Sequence, residues 1–255
     1  GEDGDRSAGA EDARAMSVKV GDTFEGKYRI RRLLGKARMR ANHYESCFGN
    51  YPQKYAELFR WIDRALKLEG DLLEFGVHLG GTTCLLAEKL LESGRTKTIH
   101  AFDSFSGFDP REFDMCHGSG AAKDASQKNA FRSRDNSVAY LKMKLKTFGF
   151  ERCVRLRPGY FQDTLEPFLR ESPSRAFCFA LIDCDLAPSV AFCADRIYDC
   201  LTPGGVMLFD DYGSLATGKP DTSFSPGVRK VVDEFVGARA PASHGYVNGL
   251  YHFVK

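Results

Sequence analysis

The spacing of apolar positions along the chain changes several times between a helical and a strand-like pattern. From residue 51 to Gly70, apolar side chains recur every three or four positions, which predicts an amphipathic helix that ends at the glycine. Short apolar runs then predict strands over residues 71–77, 98–102, 154–157, 177–182 and 206–209, with a terminal strand pair near 246–254. Helical spacing between them predicts helices over residues 82–91, 136–148, 164–169, 190–201 and 228–235.

Strands that alternate with helices indicate a mostly parallel sheet, because each helix carries the chain back to the start of the next strand. We therefore predict an α/β fold: a single Rossmann-like, doubly wound, mostly parallel seven-stranded sheet with helices on both faces. A chain of 255 residues that is 43% hydrophobic is long enough for one such core. Residues 1–18 are predicted to be a disordered tail, 19–70 an N-terminal helical cap, and 71–255 the α/β domain. The glycine-containing segment 104–136 lacks clear periodicity and is predicted to be a lid insert.

Charge and composition restrict the classes of partner. The net charge of +2 gives no reason to expect a nucleic-acid partner, and no apolar run reaches the roughly 18–20 residues of a membrane span. The N-terminus lacks the pattern of a secretory signal and the eight cysteines form no CxxC pair, so we predict a cytoplasmic protein with reduced thiols.

Residues 27–40 carry seven Lys or Arg side chains and no acid. We interpret them as a solvated helical cap, with guidance of an anionic substrate or contact between subunits of a homo-oligomer as alternatives.

The first predicted strand runs directly into a glycine-rich turn, EFGVHLGGTT, at residues 74–83. Glycines at such a turn let the backbone approach a ligand closely and present amide groups of the following helix. The GxxxG spacing differs from the GxGxxG of nicotinamide-dinucleotide binders. The second strand is followed by Asp103, whose carboxylate can accept hydrogen bonds from both hydroxyls of a ribose. Gly159, Tyr160 and Phe161 follow the third strand, where an aromatic side chain can pack against an adenine.

This arrangement resembles motif I of the class I methyltransferases, in which the loop wraps the methionine part of S-adenosylmethionine. The resemblance implies S-adenosylmethionine as the cofactor. The residues expected to bind it are Glu74, Phe75, Gly76, Gly80, Thr82, Thr83, Asp103, Ser104, Gly159, Tyr160, Phe161 and Asp183.

Four acidic side chains follow two of the predicted strands. Asp183 and Asp185 follow the fourth, and Asp210 and Asp211 follow the fifth. Adjacent parallel strands end at the same edge of a sheet, so these carboxylates are expected to lie together. Unit charges about 4 Å apart repel by about 4 kcal/mol at an effective dielectric constant of 20, so either some carboxylates stay protonated or a cation lies among them. Oxygen ligands without a His or Cys cluster favour Mg²⁺, with Ca²⁺ or Mn²⁺ as alternatives.

The stretch LIDCDLAPSVAFCADRIYDCLTPGGVMLFDDYG resembles the corresponding part of the macrocin O-methyltransferase (TylF-like) family, and EFGVHLGGTT, HAFDSFSGF and GYFQDTL match its pattern in the same order. The similarity covers roughly residues 51–255. It implies methylation of sugar hydroxyls on antibiotics, with Asp183, Asp210 and Asp211 as metal ligands and Asp185 as general base. The family usually has an aromatic and then an acid or hydroxyl residue after the DxD. This chain has Leu186-Ala187-Pro188 there, which implies a different wall of the acceptor site.

The sequence therefore predicts a divalent-metal-dependent O-methyltransferase of natural-product biosynthesis that uses S-adenosylmethionine. Its acceptor is expected to be a small molecule with vicinal hydroxyls, such as a sugar moiety, and a catechol-type aromatic is the alternative. The paired acids alone would also fit a metal-dependent phosphatase or glycosyltransferase, but neither explains the glycine turn. A non-catalytic module that binds S-adenosylmethionine or RNA is a further alternative, which the intact Asp183 and Asp185 disfavour.

Overall fold

The computed structural model describes residues 52–117, 136–215 and 225–255. The predicted tail 1–18, the basic segment 27–40 and the central part of the predicted lid lie outside the described residues, as does all of the predicted cap before residue 52. No described helix combines the length and the apolar composition needed to cross a bilayer.

Seven strands form one sheet. Their bounds are Asp71–Phe75 (β1), Ile99–Asp103 (β2), Val154–Pro158 (β3), Phe177–Ile182 (β4), Leu201–Phe209 (β5), Ser243–Val247 (β6) and Leu250–Val254 (β7). Their order in the sheet is β3-β2-β1-β4-β5-β7-β6. The strands β1 to β5 are parallel, whereas β7 runs antiparallel to both of its neighbours. The predicted mostly parallel seven-stranded sheet is therefore confirmed.

Helices cover both faces of this sheet. They are Pro52–Ala65 (α1), Gly81–Glu92 (α2), Pro110–His117 (α3), Val138–Phe148 (α4), Phe161–Glu171 (α5), Ala187–Tyr198 (α6) and Val228–Gly237 (α7), with a 3₁₀ turn at Phe150–Arg152. Leu72 and Phe179 face the core formed with α1, α2 and α4, whereas Leu73 and Ala180 face the core formed with α5, α6 and α7. Burial on both faces explains why the central strands are almost continuous apolar runs in the sequence.

The chain changes its direction of winding at β1. β2 and β3 lie on one side of β1, and β4 and β5 lie on the other. Ligands of doubly wound sheets bind beyond the carboxyl ends of the strands at such a switch point. The glycine turn follows β1 and Asp183 follows β4, so both lie at this position.

Several boundaries differ from the sequence prediction. Helix α6 begins at Ala187 rather than at residue 190, because Pro188 is well tolerated in the first turn of a helix. Strand β5 begins at Leu201, five residues before the predicted strand, and a register irregularity between Phe177 and Phe179 of β4 accommodates its Pro-Gly-Gly segment. The predicted lid contains helix α3, so this part of it is not irregular.

Candidate active site

A cavity lies at the carboxyl ends of β1, β2, β4 and β5. Ten of the predicted site residues line it: Gly76, Thr82, Asp103, Ser104, Tyr160, Phe161, Asp183, Asp185, Asp210 and Asp211. The glycine turn and the four acids therefore face the same space. A donor held by the turn and an acceptor held by the acids can meet in this cavity, which is the arrangement that group transfer requires.

Gly76 brings the glycine turn into direct contact with the acidic turn after β4. Its φ angle is 90°, and a Cβ atom at this position would lie 1.6 Å from the carbonyl oxygen of Asp183. The amide of Asp183 donates a hydrogen bond to the carbonyl of Phe75 at 2.8 Å. Only glycine fits this approach. The cofactor half of the cavity, lined by the glycine turn, and the acceptor half, lined by the four acids, are therefore in direct backbone contact.

Residues other than glycine adopt left-handed backbone angles after four strands that end at the cavity. His78 and Phe105 follow β1 and β2 with φ angles of 48° and 52°, and Asp185 and Asp211 follow β4 and β5 with 59° and 58°. Such conformations cost of order 1–3 kcal/mol each and cluster at functional sites. The left-handed angles of Asp185 and Asp211 belong to the turns that bring these acids to the cavity.

Asp103 braces two of these turns. Its Oδ2 accepts hydrogen bonds from the amides of Val77 and His78 at 2.8 and 3.0 Å, and its Oδ1 accepts one from the amide of Phe105 at 2.6 Å. A carboxylate has about four acceptor sites, so three are taken by the protein itself. Asp103 therefore retains capacity for a further hydrogen bond, and its predicted contact with the ribose hydroxyls stays a prediction.

The other predicted cofactor residues do not line the cavity. They are Glu74, Phe75, Gly80, Thr83 and Gly159. Glu74 and Thr83 are fully buried, and Gly80 caps the start of α2 with a left-handed φ of 69°. These residues therefore support the residues that line the cavity, and their contact with a cofactor stays a prediction.

Glu74 is a buried acid below the glycine turn. Its carboxylate oxygens have no hydrogen-bond partner of normal geometry among the described residues. Burial first, and then the nearby Asp103 carboxylate, raise the pKa of Glu74 to about 8, although the neighbouring Thr83 and Lys144 oppose the rise. The folded chain therefore holds this side chain in its neutral form at neutral pH.

Glu74→Gln is expected to remove a pH dependence of stability. The ordinary pKa of 4.5 applies in the unfolded chain, so between that value and about 8 only the unfolded chain has lost the proton. Wild-type stability should therefore fall, relative to the variant, as the pH rises from about 5 to about 8, by up to about 1.4 kcal/mol per pH unit. Urea unfolding at both pH values measures this, with the exposed Glu92→Gln as control. Parallel pH profiles for wild type and Glu74→Gln would show that Glu74 is ionised in the fold.

The four acids come together as the sequence predicted. One carboxylate oxygen from each of Asp183, Asp210 and Asp211 lies within 4.8 Å of the other two. One oxygen of Asp211, Oδ2, is buried and has no hydrogen-bond partner among the described residues. Three carboxylate groups at this spacing, together with an unpartnered oxygen on Asp211, fit a hard divalent cation such as Mg²⁺.

Burial and mutual repulsion disfavour full ionisation of the cluster. Burial first, and then the neighbouring carboxylates, raise the pKa values of Asp183 and Asp211 well above the ordinary range. The same causes, with Asp210 as the main neighbour, raise the pKa of Asp185 to about 7. Ser225, just before α7, hydrogen-bonds to the Asp185 side chain and opposes this rise. The hydrogen bond with Ser225 therefore orients Asp185, and the pKa of Asp185 suits a general base near neutral pH.

Lys54 of α1 lies in the cluster, which the sequence analysis missed. Its Nζ donates to both carboxylate oxygens of Asp210 at 2.6 and 2.7 Å. Although burial alone lowers the pKa of Lys54, the carboxylates of Asp210 and Asp183 outweigh it and raise the pKa. In the sequence, Lys54 is one polar position of an amphipathic helix 156 residues before Asp210, and no local pattern separates it from a solvated lysine.

The described start of the predicted lid packs beside the cavity. Gly107, Phe108 and Asp109 contribute to the lining. Glu112 of α3 is buried and accepts hydrogen bonds from Gln162 of α5 and Ser189 of α6. Helix α3 is therefore attached to the two helices that border the cavity, and the lid function of residues 104–136 stays a prediction.

Comparisons with known proteins agree with this geometry. Residues 55–235 match the family description "Macrocin-O-methyltransferase (TylF)". A curated protein of Streptomyces olivaceus, 8-demethyl-8-(2,3-dimethoxy-alpha-L-rhamnosyl)-tetracenomycin-C 4'-O-methyltransferase, is 29% identical over 150 residues, which cover 56% of this chain and 53% of that protein. The chain thus spans about half the length of this curated relative.

Solved structures share the fold at low sequence identity. The O-methyltransferase NovP superposes with a TM-score of 0.61 at 21% identity, covering 79% of each chain. An O-methyltransferase from Bacillus cereus in complex with SAH superposes with a TM-score of 0.55 at 15% identity, covering 96% of this chain and 97% of that one. Since the family match extends over most of the chain and includes β1 to β5, the chain belongs to the macrocin O-methyltransferase (TylF) family.

Proposed function

We propose that this protein transfers the methyl group of S-adenosylmethionine to a hydroxyl oxygen of a small natural product, with the help of a divalent cation. The observation that carries the proposal is the single cavity lined both by the glycine turn and by the four acids. Family membership supports the same activity. A cytoplasmic location and a homo-oligomeric state stay predictions from the sequence.

The cofactor half of the cavity suits S-adenosylmethionine. Gly76 and Thr82 offer close backbone approach, and Asp103 retains one acceptor site for a ribose hydroxyl. Tyr160 and Phe161 line the same cavity and supply aromatic surface for the adenine. The solved O-methyltransferase structure from Bacillus cereus has a similar fold and contains SAH, the demethylated product of this cofactor, which supports the assignment.

The acceptor half supports proton removal by Asp185. A sulfonium methyl group is already electrophilic, so the protein has to position the acceptor oxygen and take its proton. Asp185 lines the cavity, and in the cluster without a cation its pKa is about 7, so its carboxylate is available near neutral pH. Asp183, Asp210 and Asp211 would hold the divalent cation, which when bound lowers the pKa of a coordinated hydroxyl.

A sugar hydroxyl is the proposed acceptor class. The curated relative carries the name of a methyltransferase that acts at the 4'-oxygen of a rhamnosyl tetracenomycin. Vicinal hydroxyls occur in both sugars and catechols, so a catechol-type aromatic is the alternative acceptor. Leu186 lines the cavity at the position after the DxD where the family usually has an aromatic residue, so the acceptor of this chain can differ from that of its relatives.

Calorimetric titration of the full chain with S-adenosylhomocysteine tests the proposal. We expect binding in the micromolar range with or without Mg²⁺, because Asp183 is the one proposed metal ligand among the residues expected to bind the cofactor. A chelator should abolish methyl transfer and leave this binding unchanged. Absence of binding at millimolar ligand would refute the cofactor assignment, and methyl transfer that survives chelation would refute the proposed role of the metal.

A panel of rhamnosylated acceptors and simple catechols, assayed together, distinguishes the two acceptor classes.

A further inference from the structure

Lys54 places a positive charge inside the acidic cluster. Its ammonium lies against both oxygens of Asp210, at 2.6 and 2.7 Å, and the side chain is only 13% exposed. Asp210 Oδ1 also accepts the amide of Asp211 at 2.8 Å, so its orientation is defined by the backbone as well. Lys54 is thus a partly buried charged group of the site that the proposed methyl transfer does not use.

The protein provides a defined path for this side chain. The β6–β7 hairpin turns at Asn248 and Gly249, which have φ angles of 51° and 90°. A Cβ atom at Gly249 would lie 3.3 Å from Cδ of Lys54 and 2.9 Å from a methyl group of Leu215. Any side chain at position 249 would therefore crowd the aliphatic part of Lys54, and glycine there leaves it room to reach Asp210.

We propose that Lys54 is an internal cation that holds the position of Asp210 until a divalent ion binds, and that the ion binds by displacing it. This inference rests on the proposed metal role of Asp183, Asp210 and Asp211. A single ammonium occupies both oxygens of Asp210, and a dication that shared one of them would lie within a few ångströms of it. Two cations at that separation repel strongly in a half-buried site, so they exclude one another.

Charge balance favours the exchange when metal is abundant. Among the described residues, the Lys54 ammonium faces four carboxylates that line the same cavity, those of Asp183, Asp185, Asp210 and Asp211. A divalent ion supplies one more positive charge than Lys54, and Asp183, Asp210 and Asp211 are close enough together that it would contact all three. The displaced ammonium can regain water, because the Lys54 side chain already reaches the protein surface. Lys54 therefore lowers the affinity for metal and keeps the metal-free cluster partly neutralised.

A positioning role for Lys54 predicts the opposite change in metal affinity. If Lys54 served only to hold Asp210 in a ligating orientation, its removal would weaken metal binding. The sign of the change in metal affinity therefore separates competition from positioning.

Titration of the chelator-treated full chain with Mn²⁺, followed by electron paramagnetic resonance of the free ion, measures this sign. Lys54→Met keeps the length of the side chain and removes its charge, and we expect it to bind Mn²⁺ about tenfold more tightly than wild type. Lys54→Arg keeps the charge and should bind no more tightly than wild type. Lys89→Met is the matched control, since Lys89 pairs with Asp63 at 2.9 Å outside the cluster, and it should leave the affinity unchanged.

A second measurement uses the wild-type chain and is independent of variant folding. Acetylation by an activated ester, quantified by peptide mass spectrometry, should modify Lys54 slowly without metal and several-fold faster with saturating Mn²⁺. Lys89 in the same sample is the internal reference and should react at an unchanged rate.

The outcomes are distinguishable. Tighter binding by Lys54→Met together with faster acetylation supports the exchange. Wild-type Mn²⁺ binding with equal or weaker binding by Lys54→Met, or with unchanged acetylation, overturns the exchange and leaves the proposed function intact. Failure of both proteins to bind Mn²⁺, while S-adenosylhomocysteine still binds, overturns the metal part of the proposed function and the exchange with it.

Discussion

Asp185→Asn is expected to lower kcat by about 1,000-fold while S-adenosylhomocysteine affinity stays within about twofold of wild type. The amide has nearly the same shape as the carboxylate and can still interact with Ser225, but it cannot take a proton from the acceptor. Asp185 lies on the acidic side of the cavity, so the cofactor half should be unaffected. Steady-state kinetics with the acceptor and calorimetry with the cofactor product measure the two quantities.

Asp195→Asn is the matched control for this variant. Asp195 lies on the neighbouring helix α6, is largely exposed and pairs with Arg239 at 2.7 Å. The same chemical change there should leave kcat and cofactor affinity unchanged. Full turnover by Asp185→Asn would remove the base assignment. Loss of cofactor binding in that variant would instead mean that the acidic turn supports the cofactor half of the cavity.

Gly76→Ala is expected to be among the most destabilising single substitutions in the chain. The added Cβ would lie 1.6 Å from the carbonyl oxygen of Asp183, and alanine would have to adopt a φ angle of 90°. Neither the Cβ atom nor the backbone carbonyl of Asp183 can rotate away, so β1 and β4 would have to separate at their carboxyl ends. We expect a loss of about 4 kcal/mol or more in the free energy of unfolding, measured by urea denaturation.

Gly94→Ala separates the steric clash from the backbone strain. Gly94 has a φ angle of 67°, but a Cβ atom there would meet nothing within 4 Å. We expect this variant to lose only the cost of the left-handed conformation, about 1–2 kcal/mol. If Gly76→Ala were no less stable than Gly94→Ala, the close contact between the glycine turn and Asp183 would not exist in solution.

Local patterns in the sequence were sufficient to predict the sheet and the position of the acids. The apolar runs that became β1, β2, β4 and β5 are buried on both faces, so composition alone marks them as strands. Residues directly after such strands lie at one edge because the strands are parallel. This rule placed Asp103, Asp183 and Asp210 correctly around one cavity without any knowledge of distances.

Contacts between distant residues could not be predicted in the same way. Lys54 reaches Asp210 across 156 positions, and its helical spacing is that of any surface lysine. Glu112 meets Ser189 and Gln162 from within a segment that has no clear periodicity. Such contacts depend on how the helices pack over the sheet. Apolar periodicity predicts which face of a helix is buried, but it does not predict which residues that helix contacts.

The Asp103 brace has a consequence for the thermodynamics of ligand binding. Its carboxylate holds the amides of Val77, His78 and Phe105 with the protein's own hydrogen bonds, so folding itself orders the turns after β1 and β2. A ligand that enters the cavity therefore meets a preorganised surface and loses little conformational entropy in arranging it. The affinity of this side of the cavity is then governed by the contacts that the ligand makes, and the heat capacity change should reflect the apolar area it buries.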